Sequence, residues 1–122
     1  MTVVNERKII HGILNSLDLP RDGVLLVHSS FRGLSGYGFK AELVIEAMLE
    51  FVDQGTLLMP AMTWRNVTPA SPIFHELETP SHTGVLGEIF RTRYSTTRSL
   101  HPTHSVAGWG SKAAILLSGH HL

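Results

Sequence analysis

Cysteine is absent from all 122 residues, which excludes disulfides, thiolate-bound zinc and a cysteine nucleophile. Charge excess is absent as well: ten Lys and Arg balance ten Asp and Glu. A nucleic-acid binder draws much of its affinity from surplus cations, so that class is set aside. No apolar run is long enough to span a bilayer. Glu6, Arg7 and Lys8 ahead of a short apolar face do not make a signal peptide either. A cytoplasmic protein is the expectation. The common phosphate-loop signatures are missing too. Gly33-Leu34-Ser35-Gly36-Tyr37-Gly38 fits neither a Walker loop nor G-x-G-x-x-G. Ser29, between Val27 and Phe31, lacks the flanking glycines of a nucleophile elbow.

What is present suits one domain over residues 1–122. A mass of 13.4 kDa holds a core but not two domains, and 43% apolar residues with a mean hydropathy of +0.10 are those of a soluble globular protein. Residues from about Val3 to Leu17 set Ile9, Ile10, Ile13, Leu14 and Leu17 on one helical stripe. Val24–Ser29 is a continuous apolar run between turn signals, which predicts a strand buried on both faces. Ala41–Val52 carries Leu43, Val44, Ala47, Met48, Phe51 and Val52 at helical spacing, with Gly55 just beyond. Thr56–Ala61 repeats the strand pattern. From Met62 to His82 no period survives, and Pro69, Pro72 and Pro80 predict a long loop. Gly84–Arg93 returns to helix, Ser105–Gly108 reads as a strand, and Ser111–Ser118 as a last helix.

This alternation predicts an α/β fold, a layered α-β-α sandwich on a mixed or partly parallel sheet. Only three strands can be counted, fewer than the four to six or so of a usual sheet, so the domain reads as incomplete.

Two segments concentrate polar groups at strand ends, where α/β proteins place ligand contacts. The first, Val27-His28-Ser29-Ser30-Phe31-Arg32-Gly33, offers hydroxyls and backbone N–H groups to an anion. Its plainer alternative is a strand end whose serines cap turns. The second, Arg98 to Ser105, holds a guanidinium, hydroxyls and two imidazoles. Arg98 suits a phosphate or carboxylate, and His101 or His104 a general base. A surface loop with Arg98 solvated is the alternative there. The two segments are expected to meet and bind one phosphate-bearing cofactor. No metal is expected: Pro102 breaks any helix across His101 and His104, and adjacent His120 and His121 point apart. Trp64 reads as a core cap or a pocket wall, and Glu76 and Glu78 as solvated charges or an attraction for a cationic substrate.

Four stretches then carry a resemblance: Val27-His28-Ser29-Ser30, Met59-Pro60-Ala61-Met62-Thr63-Trp64, the Thr79-Pro80-Ser81-His82-Thr83-Gly84 run continuing to Arg91, and Arg98-Ser99-Leu100-His101-Pro102-Thr103-His104-Ser105-Val106-Ala107. In this order they resemble the N-terminal part of the aminoglycoside N3-acetyltransferase family. The resemblance implies acetyl transfer from acetyl-coenzyme A, as co-substrate, to the 3-amino group of an aminoglycoside antibiotic. It implies coenzyme contacts from Ser29, Ser30, Phe31, Arg98, Ser99, His101, Ser105 and Val106. The resemblance implies a catalytic His-x-x-Glu in the family's C-terminal half; none of the stretches that carry the resemblance contains one, so no catalytic residue is assigned and weak or no turnover is expected of this chain alone. The alternative is a non-catalytic, truncated coenzyme-binding or scaffold module. A His-metal hydrolase is the third candidate. Exposed apolar faces and a free sheet edge would favour self-association.

Overall fold

The computed structural model describes residues 3–28 and 31–121. Its elements run α1 (Val3–Ser16), β1 (Val24–Leu26), α2 (Arg32–Ser35), α3 (Ala41–Phe51), β2 (Thr56–Pro60), α4 (Val85–Ile89), β3 (Thr97–Arg98), β4 (Val106–Gly110) and α5 (Ala113–Leu117). A π-helical turn, Phe90–Tyr94, extends α4, and the Ser95 N–H closes it on the Phe90 carbonyl at 2.8 Å.

The four strands form one mixed sheet in the order β1-β2-β4-β3. β1 lies parallel to β2, whereas β4 is antiparallel to both β2 and β3. The carboxyl ends of β1, β2 and β3 and the amino end of β4 therefore share one edge of the sheet. The α/β class and the mixed sheet expected from the sequence are both present.

β2 is the centre. Leu57 and Met59 face α3 with 0% and 2% exposure, opposite Trp109 and Ala107 of β4 in register. Helix α3 covers them because Ala41, Val44, Ile45, Ala47, Met48 and Phe51 recur every three or four residues and all are buried. Burying side chains such as Ile45, Met48 and Phe51 contributes roughly 1.5–3 kcal/mol each. Leu86, Phe90, Ile10 and Leu14 complete this core. On the opposite face α5 sets Ala113 and Leu117 over Gly108 and Leu58, where any Cβ on Gly108 would lie 2.9 Å from both the Ala113 Cβ and Leu58 Cδ2.

Three expectations need correction. The first strand is not buried on both faces: it is short, sits at the sheet edge, and leaves Val24 46% and Leu26 60% exposed. The α1 stripe is narrower than its apolar spacing predicts. Ile10 and Leu14 are buried, whereas Ile9, Ile13 and Leu17 are exposed, because α1 packs on α3 alone among the longer helices. A fourth strand, β3, is only two residues long and has too little sequence to show a period.

One glycine contact is obligatory. Gly110 has φ +112°, and a Cβ there would lie 2.1 Å from the Gly55 carbonyl oxygen. The backbones meet at the turn where Ser111 N–H donates to that same carbonyl at 3.1 Å.

Candidate functional site

Three loops leave the sheet at the shared edge: the segment after β1, the long segment 61–84 after β2, and 99–105 between β3 and β4. Strands about 4.8 Å apart put the exit of β1 about 10 Å from the entry of β4. Ser29 and Ser30 lie outside the described residues. Val27 and His28, just before them, leave from this edge, with the Val27 N–H on the Leu58 carbonyl at 2.9 Å. Phe31, just after, packs partly buried against the core.

The 61–84 loop is fastened to the 99–105 loop residue by residue. Ala61 N–H donates to the Ser105 carbonyl at 2.8 Å and Thr63 N–H to the Thr103 carbonyl at 2.9 Å. The Thr63 hydroxyl, fully buried, donates to the Pro102 carbonyl. On its other side the Thr83 hydroxyl donates to the Pro60 carbonyl at 3.0 Å, and His82 N–H to the Met62 carbonyl at 3.0 Å.

Arg98, expected as an anion contact, spends most of its donors inside the chain. It is 6% exposed and donates through Nη1 to the carbonyls of Glu76 and Thr79 at 3.0 and 2.6 Å, and through Nη2 to that of Ala61 at 3.0 Å. Nε reaches the Ser105 hydroxyl at 3.0 Å, and the guanidinium carbon lies 4.9 Å from the Phe74 ring centre. Four of its five N–H groups are engaged. Burial, then the charge of Arg91, lowers its pKa to about 10, which leaves it a cation at neutral pH. Ser105 also points inward, giving its proton to the Ala61 carbonyl at 2.8 Å. Arg91 secures the same long loop by donating to the Leu77 carbonyl at 3.0 Å while its fork grips Glu88. Glu88 is buried enough to raise its pKa, but the bonds from Arg91 and Ser81 outweigh that and hold it low.

A cleft of about 420 Å³ opens beside Arg98 and the π-helical turn, lined by Glu76, Leu77, Arg91, Thr92 and the 95–98 segment. Of the described residues expected to contact the coenzyme, Arg98 is among its walls, and Phe31, Ser99, His101, Ser105 and Val106 are not.

Ser99, His101 and Val106 meet in a second cluster. The Ser99 hydroxyl oxygen accepts the Val106 N–H at 2.9 Å and lies 2.7 Å from Nδ1 of His120. The His101 ring stacks on His120 at 5.1 Å and meets His104 edge-on at 5.4 Å. His101 Nδ1 accepts the N–H groups of Thr103 at 3.3 Å and His104 at 3.0 Å. Two donors on Nδ1 assign the neutral ring its proton at Nε2, so Nε2 is the donor of His101. Burial, then His120 and His104, lower its pKa. His82 is lowered likewise by burial and by Arg65 and His104, and its edge meets Trp64 at 4.5 Å.

Sequence reasoning missed His120. The pair His120-His121 was legible, but nothing in its spacing tied it to Ser99, twenty-one residues earlier. Thr63 was legible only as a neighbour of Trp64.

The profile of the aminoglycoside 3-N-acetyltransferase family matches residues 26–122. The SPbeta prophage-derived aminoglycoside N(3')-acetyltransferase-like protein YokD of Bacillus subtilis (strain 168) is 27% identical, over 89% of this chain and 48% of its own length. The crystal structure of YokD superposes with a TM-score of 0.74 at 26% identity, over 92% of this chain and 53% of that one. A mutant of the aminoglycoside acetyltransferase AAC(3)-IVa in complex with a gentamicin gives 0.77 at 30% identity, over 91% and 42%. AAC-IIIb in its binary complex with CoASH gives 0.73 at 27% identity, over 93% and 49%. The chain spans about half the length of the relatives it matches. Since the family profile runs from β1 through every loop at the shared sheet edge, the chain belongs to the aminoglycoside 3-N-acetyltransferase family.

Proposed function

We propose that this chain supplies the acetyl-coenzyme A side of an N-acetyltransferase whose acceptor is the 3-amino group of an aminoglycoside. The observation that carries this is the gathering of the β1 exit and the Arg98–Val106 segment at one edge of the sheet. The complex of AAC-IIIb with CoASH and that of AAC(3)-IVa with a gentamicin support the two substrates. A cytoplasmic location goes with the reading; among the described residues no helix is long and apolar enough to cross a membrane.

In this proposal Ser99, His101 and Val106 contact the coenzyme, as do Phe31 and the two serines before it in the chain, Ser29 and Ser30. The His101 Nε2–H is a donor suited to a phosphate or amide oxygen, and Val106 is a half-buried apolar wall. Arg98 and Ser105 act from beneath, by fixing the loops that present these groups. The reaction forms a bond from the amine nitrogen to the thioester carbonyl carbon and breaks the C–S bond. The amine proton goes to a base and the thiolate leaves as the thiol. The family's base of the His-x-x-Glu type belongs to its C-terminal half, whereas His75-Glu76-Leu77-Glu78 of this chain lies in the long loop with His75 Nδ1 accepting the N–H groups of Leu77 and Glu78, so coenzyme binding without robust turnover is expected of these 122 residues.

Calorimetry with coenzyme A and a thiol-release assay with several aminoglycosides test the proposal. Binding that Ser99→Ala and Val106→Asp weaken, with turnover weak or undetectable, supports it. No binding at millimolar coenzyme would favour the second reading, a non-catalytic scaffold module, for which the chain's span of about half its relatives speaks. The exposed apolar face beside β1 makes a second copy of the chain the expected protein partner of the isolated chain.

A further inference from the structure

His120 lies outside every motif that carries the family resemblance, yet it touches the Arg98–Val106 segment at two points. Its Nδ1 is 2.7 Å from the Ser99 hydroxyl, and its ring lies 28° from parallel with His101. Because the Ser99 oxygen already accepts the Val106 N–H, its own proton is free to go to the His120 nitrogen. His120 is itself anchored: its N–H donates to the Leu117 carbonyl at 3.2 Å, and Leu117 packs on β4 over Gly108. The imidazole thus joins the end of α5 to the loop between β3 and β4.

We infer that His120 is a positioning residue for the coenzyme groove: it holds Ser99 and the His101 ring in place, and protonation at His101 releases that hold. The functional consequence rests on the coenzyme reading above; the linkage does not. His101 Nδ1 accepts two main-chain N–H groups that shape the turn after Pro102. A proton on Nδ1 removes that acceptor and sets two main-chain donors against a third. The stacked neighbour, 5.1 Å away, disfavours the same step and is among the causes that lower the His101 pKa. His104 adds to this from the same loop, His121 adjoins His120 in the chain, and Arg65 and His82 stand beyond His104. No carboxylate is among the groups that shift His101 or His82, so nothing offsets the added charge. The His101 pKa is correspondingly lowered, and the neutral, assembled form is the one present at pH 7.

Two measurements on the 122-residue chain test this. In ring-resonance titrations by NMR, His101 should titrate below pH 6.5, the ordinary value, and the amides of Thr103, His104 and Val106 should follow the same midpoint. His120→Gln keeps an oxygen acceptor for Ser99 but removes the stacked ring, so the His101 midpoint should rise toward 6.5. In calorimetry at pH 7.5, His120→Ala should weaken coenzyme A by about fivefold, the equivalent of one lost hydrogen bond. His120→Gln should restore most of it. An unchanged His101 midpoint in His120→Gln, with no amide response at Val106, overturns the inference. If the titrations behave as expected but no variant binds coenzyme A at any pH, the coenzyme reading falls and the positioning link stands.

Discussion

The Arg98 Nε donates to the Ser105 hydroxyl at 3.0 Å, and Ser105 passes its own proton to the Ala61 carbonyl. Arg98 Nη2 donates to the same carbonyl. This closed triangle sits where the β2 and β3 exits flank the entry of β4. Among the described residues no carboxylate is bonded to this buried cation; main-chain carbonyls take its donors instead. The arrangement gives this edge of the sheet a rigid floor, and it makes the long 61–84 loop depend on one side chain.

Arg98→Ala should therefore act first on stability. It removes donors from the Glu76, Thr79 and Ala61 carbonyls, of which the last is buried. A loss of about 2–4 kcal/mol is expected from the lost hydrogen bonds of a charged donor, although the Ala61 carbonyl keeps the Ser105 hydroxyl. Arg98→Lys should recover less than half, because an ammonium cannot reach three divergent carbonyls and the Ser105 hydroxyl together. Urea unfolding of the three proteins measures this. Equal stability of all three would show that the guanidinium contributes nothing to the loop.

A second expectation concerns acid. His82 and His101 have pKa values lowered from 6.5, in both cases by burial first. A histidine depressed in the folded state binds its proton more readily when unfolded. Stability is then fully present above pH 6.5 and is lost as pH falls through the folded-state values. Melting temperature should be flat from pH 8 to 7 and decline below about 6.5. The His82 ring edge lies against Trp64, so Trp64 emission should change over the same acid range, and in His82→Phe that change should vanish. A midpoint above 6.5 would reverse the sign of the argument.

How much of this was legible beforehand depended on whether a signal was local. Helix α3 was, since six buried side chains share one turn-by-turn spacing. β2 was as well, because a strand covered on both faces must be apolar throughout. β1 carries the same apolar run, Val24-Leu25-Leu26, but lies at the edge with its outer face bare; sequence records apolarity, not the presence of a covering layer. The polar segments at the sheet edge were visible as clusters of donors. Their partners were not, because Arg98 finds Ala61 and Ser99 finds His120 through the topology. An arginine that would grip a phosphate and one that braces a loop have the same letters around them.

The contact between Gly110 and Gly55 allows a sharp comparison. Gly38 also has positive φ, +85°, but nothing lies within 4 Å of a Cβ there. Gly38→Ala should cost only the backbone strain, about 1–3 kcal/mol. Gly110→Ala adds a Cβ 2.1 Å from a main-chain oxygen that cannot move without parting β2 from β4. It should therefore fail to give a cooperative melt, while Gly38→Ala still melts as one unit. Similar melts for the two would mean that the turn after β4 has room the Gly55 carbonyl denies it.

Self-association of the isolated chain is the outcome expected of the face that α5 only partly covers. Val24 and Leu26 flank Leu58 on this side of the sheet, and Ile115 and Leu116 stand exposed on α5. Among the described residues β1 pairs only with β2, so its other edge is open for strand pairing. An apolar patch beside an open edge favours a second copy. Sedimentation velocity should show a weight-average coefficient that rises with concentration over the micromolar range. Leu26→Lys with Leu116→Lys changes two side chains that are 60% and 48% exposed, so folding should survive while association is lost. Leu100→Lys, on a residue equally exposed at 55% but at the ligand edge of the sheet, should leave association unchanged. A concentration-independent monomer for the unaltered chain would mean that this face is satisfied by solvent alone.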